Sequence, residues 1–126
     1  RIAAKTVRCM QETYDSKTSD MIAVIGPCIC WNCYEVGEDV AEKFRSEFGD
    51  KVFQKISHSE DSRYAGGKPH IDLTEAIVQS LLETGLKKTS IIQSELCTSC
   101  NSDLLFSHRV TQGKRGTLAS FLALKG

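Results

Sequence analysis

Five of the six cysteines fall in two short phrases, Cys28-Ile29-Cys30-Trp31-Asn32-Cys33 and Cys97-Thr98-Ser99-Cys100. Thiolates are soft metal ligands and nucleophiles, so C-x-C-x-x-C followed by C-x-x-C reads first as metal or redox chemistry. Four thiolates drawn from Cys28 or Cys30, Cys33, Cys97 and Cys100 could in principle hold a structural zinc ion. Against that, a zinc ribbon uses two equally spaced pairs, and the first phrase is not such a pair. The spacing therefore favours cysteines packed in a pocket wall over a local metal site. Cys28 follows Gly26-Pro27 at the end of an apolar run, where α/β folds place functional loops. It is the candidate nucleophile, and it needs a base within hydrogen-bond reach. His70 and His108 are the candidates for that base; His58 lies in a stretch with no readable pattern.

Fixed positive charge gathers in the last third of the chain. His108-Arg109 and Lys114-Arg115-Gly116 place an imidazole and three cations within eight residues. Guanidinium forks match phosphate oxygens, so Arg109 and Arg115 are the candidate anion contacts, with His108 and His70 beside them as substrate-binding residues. Trp31 reads as a loop anchor, with a stacking role as the alternative. Asp72 suits the cap of a following helix.

The elements that must position these residues are partly legible. Ala3, Val7, Met10 and Tyr14 recur at helical spacing over 1–14. Met21 to Ile25 reads as a buried strand ended by Gly26-Pro27. Val36, Val40, Phe44 and Phe48 predict a helix over 35–48, closed by Gly49. Val52, Phe53 and Ile56 suggest a short strand or helical turn, and 57–68 a polar loop. Leu73, Ile77 and Leu81 predict a helix opened by His70 or Asp72 and ended by Gly85. Thr89 to Gln93 reads as a strand. Leu104 to Val110 suggests a strand or extended loop, and Thr117 to Leu124 a terminal strand. This order predicts an α/β, mixed α+β fold, a buried sheet layered with helices, in a single domain over 1–126.

The 16 basic and 16 acidic residues cancel, so no overall field would recruit nucleic acid or an anionic membrane. No apolar run approaches a membrane span, and no signal peptide is visible. Six cysteines in 126 residues fall short of a disulfide scaffold, which points to reduced thiols and a cytoplasmic protein.

Read as whole phrases, the text resembles the YfiH family, also labelled laccase-domain, polyphenol oxidase, or purine nucleoside phosphorylase/adenosine deaminase. The resemblance rests on Ile25-Gly26-Pro27-Cys28-Ile29, Cys33-Tyr34-Glu35-Val36-Gly37, His70-Ile71-Asp72-Leu73, and Leu96-Cys97-Thr98-Ser99-Cys100 through Phe106-Ser107-His108-Arg109. Arg115-Gly116 and Ala119-Ser120 follow in order. It implies the C-terminal half of a zinc-dependent enzyme acting on purine nucleosides and phosphate. The family's zinc is held by two histidines and a cysteine in three upstream phrases: a His-Gly pair, an Ala-Asp-Cys phrase and a His-Ala-Gly-Trp-Arg-Gly phrase. None of them occurs in this chain, so the resemblance implies no metal ligand here, an inactive isolated chain, and a separate N-terminal half or an oligomer as possible partner. Copper-dependent phenol oxidation is the alternative activity; three histidines are too few for a multicopper centre. A non-catalytic cysteine-based zinc or redox module is the third reading. Two positions depart from the family: Val110-Thr111 stands in place of an Arg-Asp pair, and Cys30 stands where glycine is common.

Overall fold

The computed structural model describes residues 1–49, 52–55 and 67–123. Helices α1 (Ile2–Tyr14), α2 (Glu38–Phe48) and α3 (Leu73–Leu82) surround two small sheets. The first sheet pairs β1 (Ala23–Ile25) with β4 (Ile91–Gln93) in parallel; the second pairs β2 (Phe53–Lys55) with β3 (Pro69–Ile71) antiparallel. A four-residue helix, α4 (His108–Thr111), comes last.

Two apolar clusters meet at α3. Val78 and Leu81 face Val7, Met21, Ile25, Leu86 and Ile91, while Ala76 and Leu73 face Val52, Ile71 and the α2 stripe Val40, Phe44 and Phe48. The helical periodicities of α2 and α3 are thus real core faces. Asp72 is the α3 cap: its Oδ1 accepts from the Glu75 backbone N–H at 2.9 Å. That bond satisfies one of the donors left open at a helix start. Arg1 braces three helices. Its guanidinium donates to the Glu47 and Glu83 carboxylates and lies over the Phe48 ring, 4.8 Å from the centroid.

Three expectations change. His70 does not open a helix; it sits in β3, whose three residues are all buried, so no alternation betrayed the strand. Leu104 to Val110 is not a strand: turns run to Leu105, and the Ser107 hydroxyl caps α4 by accepting from Val110 N–H. From Thr117 to Ala123 the chain makes no strand, and it pairs with neither two-stranded sheet. Ile56, residues 57–66 of the loop expected over 57–68, His58 among them, and Leu124 at the end of the expected terminal strand lie outside the described residues.

One face is unfinished. Parallel strands are normally covered on both sides. Here Ile22, Val24, Ile92 and Leu96 project outward from β1, β4 and their flanks, each more than half exposed. An apolar groove of about 860 Å³ opens beside them, lined by Val7, Met10, Met21, Val24 and Leu122 among others. Among the described residues, no helix is long and apolar enough to cross a membrane.

Candidate functional site

The parallel pairing that starts with β1 and β4 does not stop at their ends. Ser94 N–H donates to Ile25 O at 2.8 Å, Thr98 N–H donates to Cys28 O at 3.1 Å, and Cys28 and Cys97 form a parallel bridge. This continuation lays the two cysteine phrases side by side.

Each phrase then turns. Cys33 N–H and Tyr34 N–H both return to Cys30 O at 3.0 Å, closing a 3₁₀ turn over Trp31–Cys33. Asn101 closes the other turn, with its backbone N–H at 3.0 Å and its side-chain Nδ2 at 2.8 Å from Cys97 O. The result gathers four sulfurs: Cys30, Cys33, Cys97 and Cys100 lie with every Sγ within 4.8 Å of the others. Cys33 Sγ and Cys100 Sγ approach to 3.5 Å. All six cysteines of the chain are free thiols.

The electrostatics of the quartet are uneven. Burial works to raise the Cys97 pKa. It is outweighed by backbone N–H groups of Cys30 and Cys100, 3.3 and 3.4 Å from Sγ, and by the neighbouring Cys30 thiol, so Cys97 is lowered to about 6. The reverse holds for its neighbours. Burial, then the bond to the Cys97 sulfur, pushes Cys30 up to about 12. Hydrogen bonding to Cys33, then Cys97, pushes Cys100 up to about 11. Cys97 takes the negative charge, and hydrogen bonding to its sulfur helps keep protons on Cys30 and Cys100.

Cys28 is not part of the quartet. Its Sγ turns to the Thr74 hydroxyl on α3 at 3.2 Å. A threonine hydroxyl is no general base, so the geometry gives the candidate nucleophile no activating partner at that contact. His70 is buried, and its Nδ1 lies 2.8 Å from Trp31 O. It thereby ties β3 to the cysteine turn. Trp31 anchors that turn through its carbonyl as well as through its half-buried ring.

Arg109 also reaches the segment after the first cysteine phrase. Its Nη1 donates to Glu35 O at 3.0 Å, and its guanidinium lies over the Tyr34 ring, 5.4 Å from the centroid. The Glu35 carboxylate in turn pairs with Lys68 at 3.0 Å. His108 is exposed at the start of α4, and a side chain on Gly113, which has φ +88°, would meet its Nε2 at 3.4 Å. Arg115 is exposed and donates to the carbonyl of its neighbour Gly116 at 2.9 Å. Gly116 lies against the Phe106 ring, where an added Cβ would sit 2.6 Å from Cζ. The structure therefore joins His70, Trp31 and the cysteine turn, and brings Arg109 onto Tyr34-Glu35. Sequence reasoning missed Thr74, Tyr34 and Lys68. Tyr34 and Glu35 lie inside a quoted family phrase, but only the fold shows what they hold.

The chain is similar to known proteins in sequence and in fold. The multi-copper polyphenol oxidoreductase laccase family model covers residues 1–125. Purine nucleoside phosphorylase YlmD of Bacillus subtilis is 33% identical over 125 residues, covering 99% of this chain and 43% of that protein. An adenosine deaminase from an unknown prokaryotic organism is 34% identical over 87 residues, covering 69% of this chain and 31% of its own length. Among solved structures, the Bacillus licheniformis hypothetical protein YfiH superposes with a TM-score of 0.76 at 36% identity, over 90% of this chain and 40% of that one. The chain thus spans less than half the length of the relatives it matches.

Proposed function

Because this chain belongs to the YfiH, or laccase-domain, family, we propose that it is the C-terminal part of an enzyme acting on purine nucleosides, by phosphorolysis or by deamination of adenosine. The observation that carries the reading is the match to a named purine nucleoside phosphorylase along nearly the whole chain. In phosphorolysis, phosphate attacks the anomeric carbon of the ribose and the base leaves with the electrons of the C–N bond. In deamination, water adds to the adenine ring and ammonia leaves. Phosphorolysis needs the phosphate anion held by cationic or hydrogen-bonding groups, which suits an arginine fixed by its own contacts. The implied zinc ligands, two histidines and a cysteine, do not fit the residues present. Among the described residues, the only cluster of three or more metal-ligating side chains of this kind is the cysteine quartet, which includes no histidine. A copper oxidase reading gains nothing from the geometry, since His70 is engaged with Trp31 O and lies in no such cluster.

In this reading Arg109 presents its remaining N–H groups to phosphate while Glu35 O and the Tyr34 ring hold the guanidinium in place. Arg115, which donates to the carbonyl of its neighbour Gly116, contributes charge. In the complete enzyme, Arg109→Ala should lower phosphorolysis of inosine or adenosine about ten- to a hundredfold, mainly through KM for phosphate. Arg115→Ala should have a smaller effect and leave stability within about 0.5 kcal/mol. Steady-state kinetics with phosphate as the varied substrate, beside urea melts, decide this. An unchanged phosphate KM in Arg109→Ala would remove the anion role.

The unfinished apolar face belongs to the same reading: the rest of the full-length enzyme covers Ile22, Val24, Ile92 and Leu96. The chain alone should then bind a hydrophobic dye such as ANS and self-associate. The double change Val24→Lys and Ile92→Lys should reduce both while leaving its helical circular dichroism intact. In the complete enzyme, the same change should lower the melting temperature. Equal stability there would refute the covering.

A further inference from the structure

We propose that Cys30, Cys33, Cys97 and Cys100 form a tetrathiolate metal site that takes one zinc ion and clamps the loop after β1 to the loop after β4. The site lies outside the activity proposed above and uses none of the histidine-containing ligand set, so either reading can fail without the other.

Spacing carries the argument. With Zn–S bonds of about 2.3 Å, tetrahedral geometry places the sulfurs about 3.8 Å apart. The four Sγ atoms already lie within 4.8 Å of one another, and Cys33 and Cys100 are at 3.5 Å. Closing the shell needs only small side-chain adjustments. The fold also resolves the irregular spacing of the first phrase. With Cys28 committed to Thr74, what remains is Cys30-x-x-Cys33 opposite Cys97-x-x-Cys100, two pairs of equal spacing. Both pairs sit on tight turns closed by backbone hydrogen bonds, so their thiols converge without ordering a flexible loop.

The surroundings suit a thiolate cluster. Two backbone N–H groups, from Cys30 and Cys100, aim at Cys97 Sγ. Four thiolates around a divalent ion leave a net charge of −2, and N–H donors to sulfur offset it. Ligand type selects the ion. Four sulfurs disfavour magnesium and calcium, which take oxygen, and suit zinc in a closed structural site. Binding replaces thiol protons by the metal, and these protons pass to solvent; no oxidant or reductant is required.

The test uses the whole chain. Protein prepared under reducing conditions and dialysed without chelator should hold about one zinc per chain by elemental analysis. Cys33→Ser with Cys100→Ser should reduce this to below about a tenth, whereas Cys28→Ser and Cys9→Ser should keep it. A second measurement does not depend on the variants folding. The unaltered chain, stripped by chelator and titrated with Co²⁺, should show thiolate-to-cobalt charge-transfer bands and the intense visible bands of tetrahedral cobalt. These should saturate at one equivalent and be displaced by zinc. Absence of both zinc and the cobalt spectrum would overturn the proposal. So would zinc that survives loss of Cys33 and Cys100, copper bound in its place, or a disulfide across the quartet in protein kept reduced.

Discussion

Lowering the pH from 7 to 6 should weaken zinc binding at the quartet at least about a hundredfold. The metal binds thiolates, so every proton still on a ligand must leave. Burial and the Cys97 sulfur hold Cys30 protonated up to about 12, and hydrogen bonds to Cys33 and Cys97 hold Cys100 protonated up to about 11. Both thiols carry their protons at pH 7 in the metal-free chain. Each displaced proton makes the affinity fall about tenfold per pH unit, so these two alone give about a hundredfold, or about 2.7 kcal/mol. Cys97 behaves oppositely. Backbone N–H donors overcome the effect of burial and lower it to about 6, so it is largely ionised at pH 7 and needs no proton removed there. Below pH 6 it becomes protonated too, and the dependence should steepen by a further factor of about ten per unit. The sign follows from these directions: raised thiol pKa values make acid a competitor across the whole neutral range, and the lowered one adds to it only at the acidic end. Competition against a chromophoric chelator, corrected for the chelator's own protonation, measures the slope. Trp31 lies between the first two ligands and offers an independent signal as the only tryptophan of the chain. A slope near zero between pH 6 and 7 would mean that Cys30 and Cys100 are already ionised, contrary to the field described.

The quartet shows where a sequence stops being informative. Side-chain spacing along a helix survives folding, so Val40, Phe44 and Phe48 could be placed on one face of α2 before any coordinates, and Asp72 could be placed at a helix start. Whether Cys28 or Cys30 joins Cys33 depends instead on register. The parallel bridge puts Cys28 opposite Cys97, and its thiol turns to α3, which leaves Cys30, two residues on, to join Cys33 facing the second phrase. Pairing between residues 67 positions apart leaves no local trace. The same limit hid β3, three buried residues with no alternation, and made Thr117 to Leu124 look like a strand, of which residues 117–123 are described and form none. That segment has an apolar composition, but a strand exists only where another edge accepts its hydrogen bonds. Leu118, Phe121 and Leu122 remain exposed instead. In α1 the expected stripe was half right: Val7 is buried, while Met10 and Tyr14 lie on a side this chain does not cover. Arg109 illustrates the remaining case. Its charge was legible; its hold on Glu35 O and the Tyr34 ring was not, and that hold decides whether it can present a fixed donor to an anion.

Replacing Ile71 by alanine should destabilise the chain by about 2–5 kcal/mol, more than any single change to an exposed residue discussed above. Ile71 is completely buried and packs with Val52 and Ala76, while Tyr34, Val36, Leu73 and the α2 aromatics close the cluster around it. Deleting its outer carbons loses their transfer free energy and leaves a void. The surroundings are poorly able to collapse into it, because the backbone there is pinned from both sides. Ile71 N–H donates to Tyr34 O at 3.2 Å, and Asp72 N–H donates to Val52 O at 3.0 Å. For a chain of this size the loss corresponds to a fall in melting temperature of roughly 8–25 °C. Ile71→Val, which removes one methylene, should cost only about 0.5–1.5 kcal/mol. The effect should reach the site through β3. His70 is the adjacent residue, and its ring holds Trp31 O, so loosening the strand should release the turn that carries Cys30 and Cys33. Urea denaturation followed by circular dichroism gives the stability change, and Trp31 fluorescence reports the turn separately. Coincident shifts in both signals are expected. A Trp31 environment unchanged in a clearly destabilised Ile71→Ala protein would show that the cysteine turn is held from the β4 side alone, and that the His70 contact does not couple it to the core.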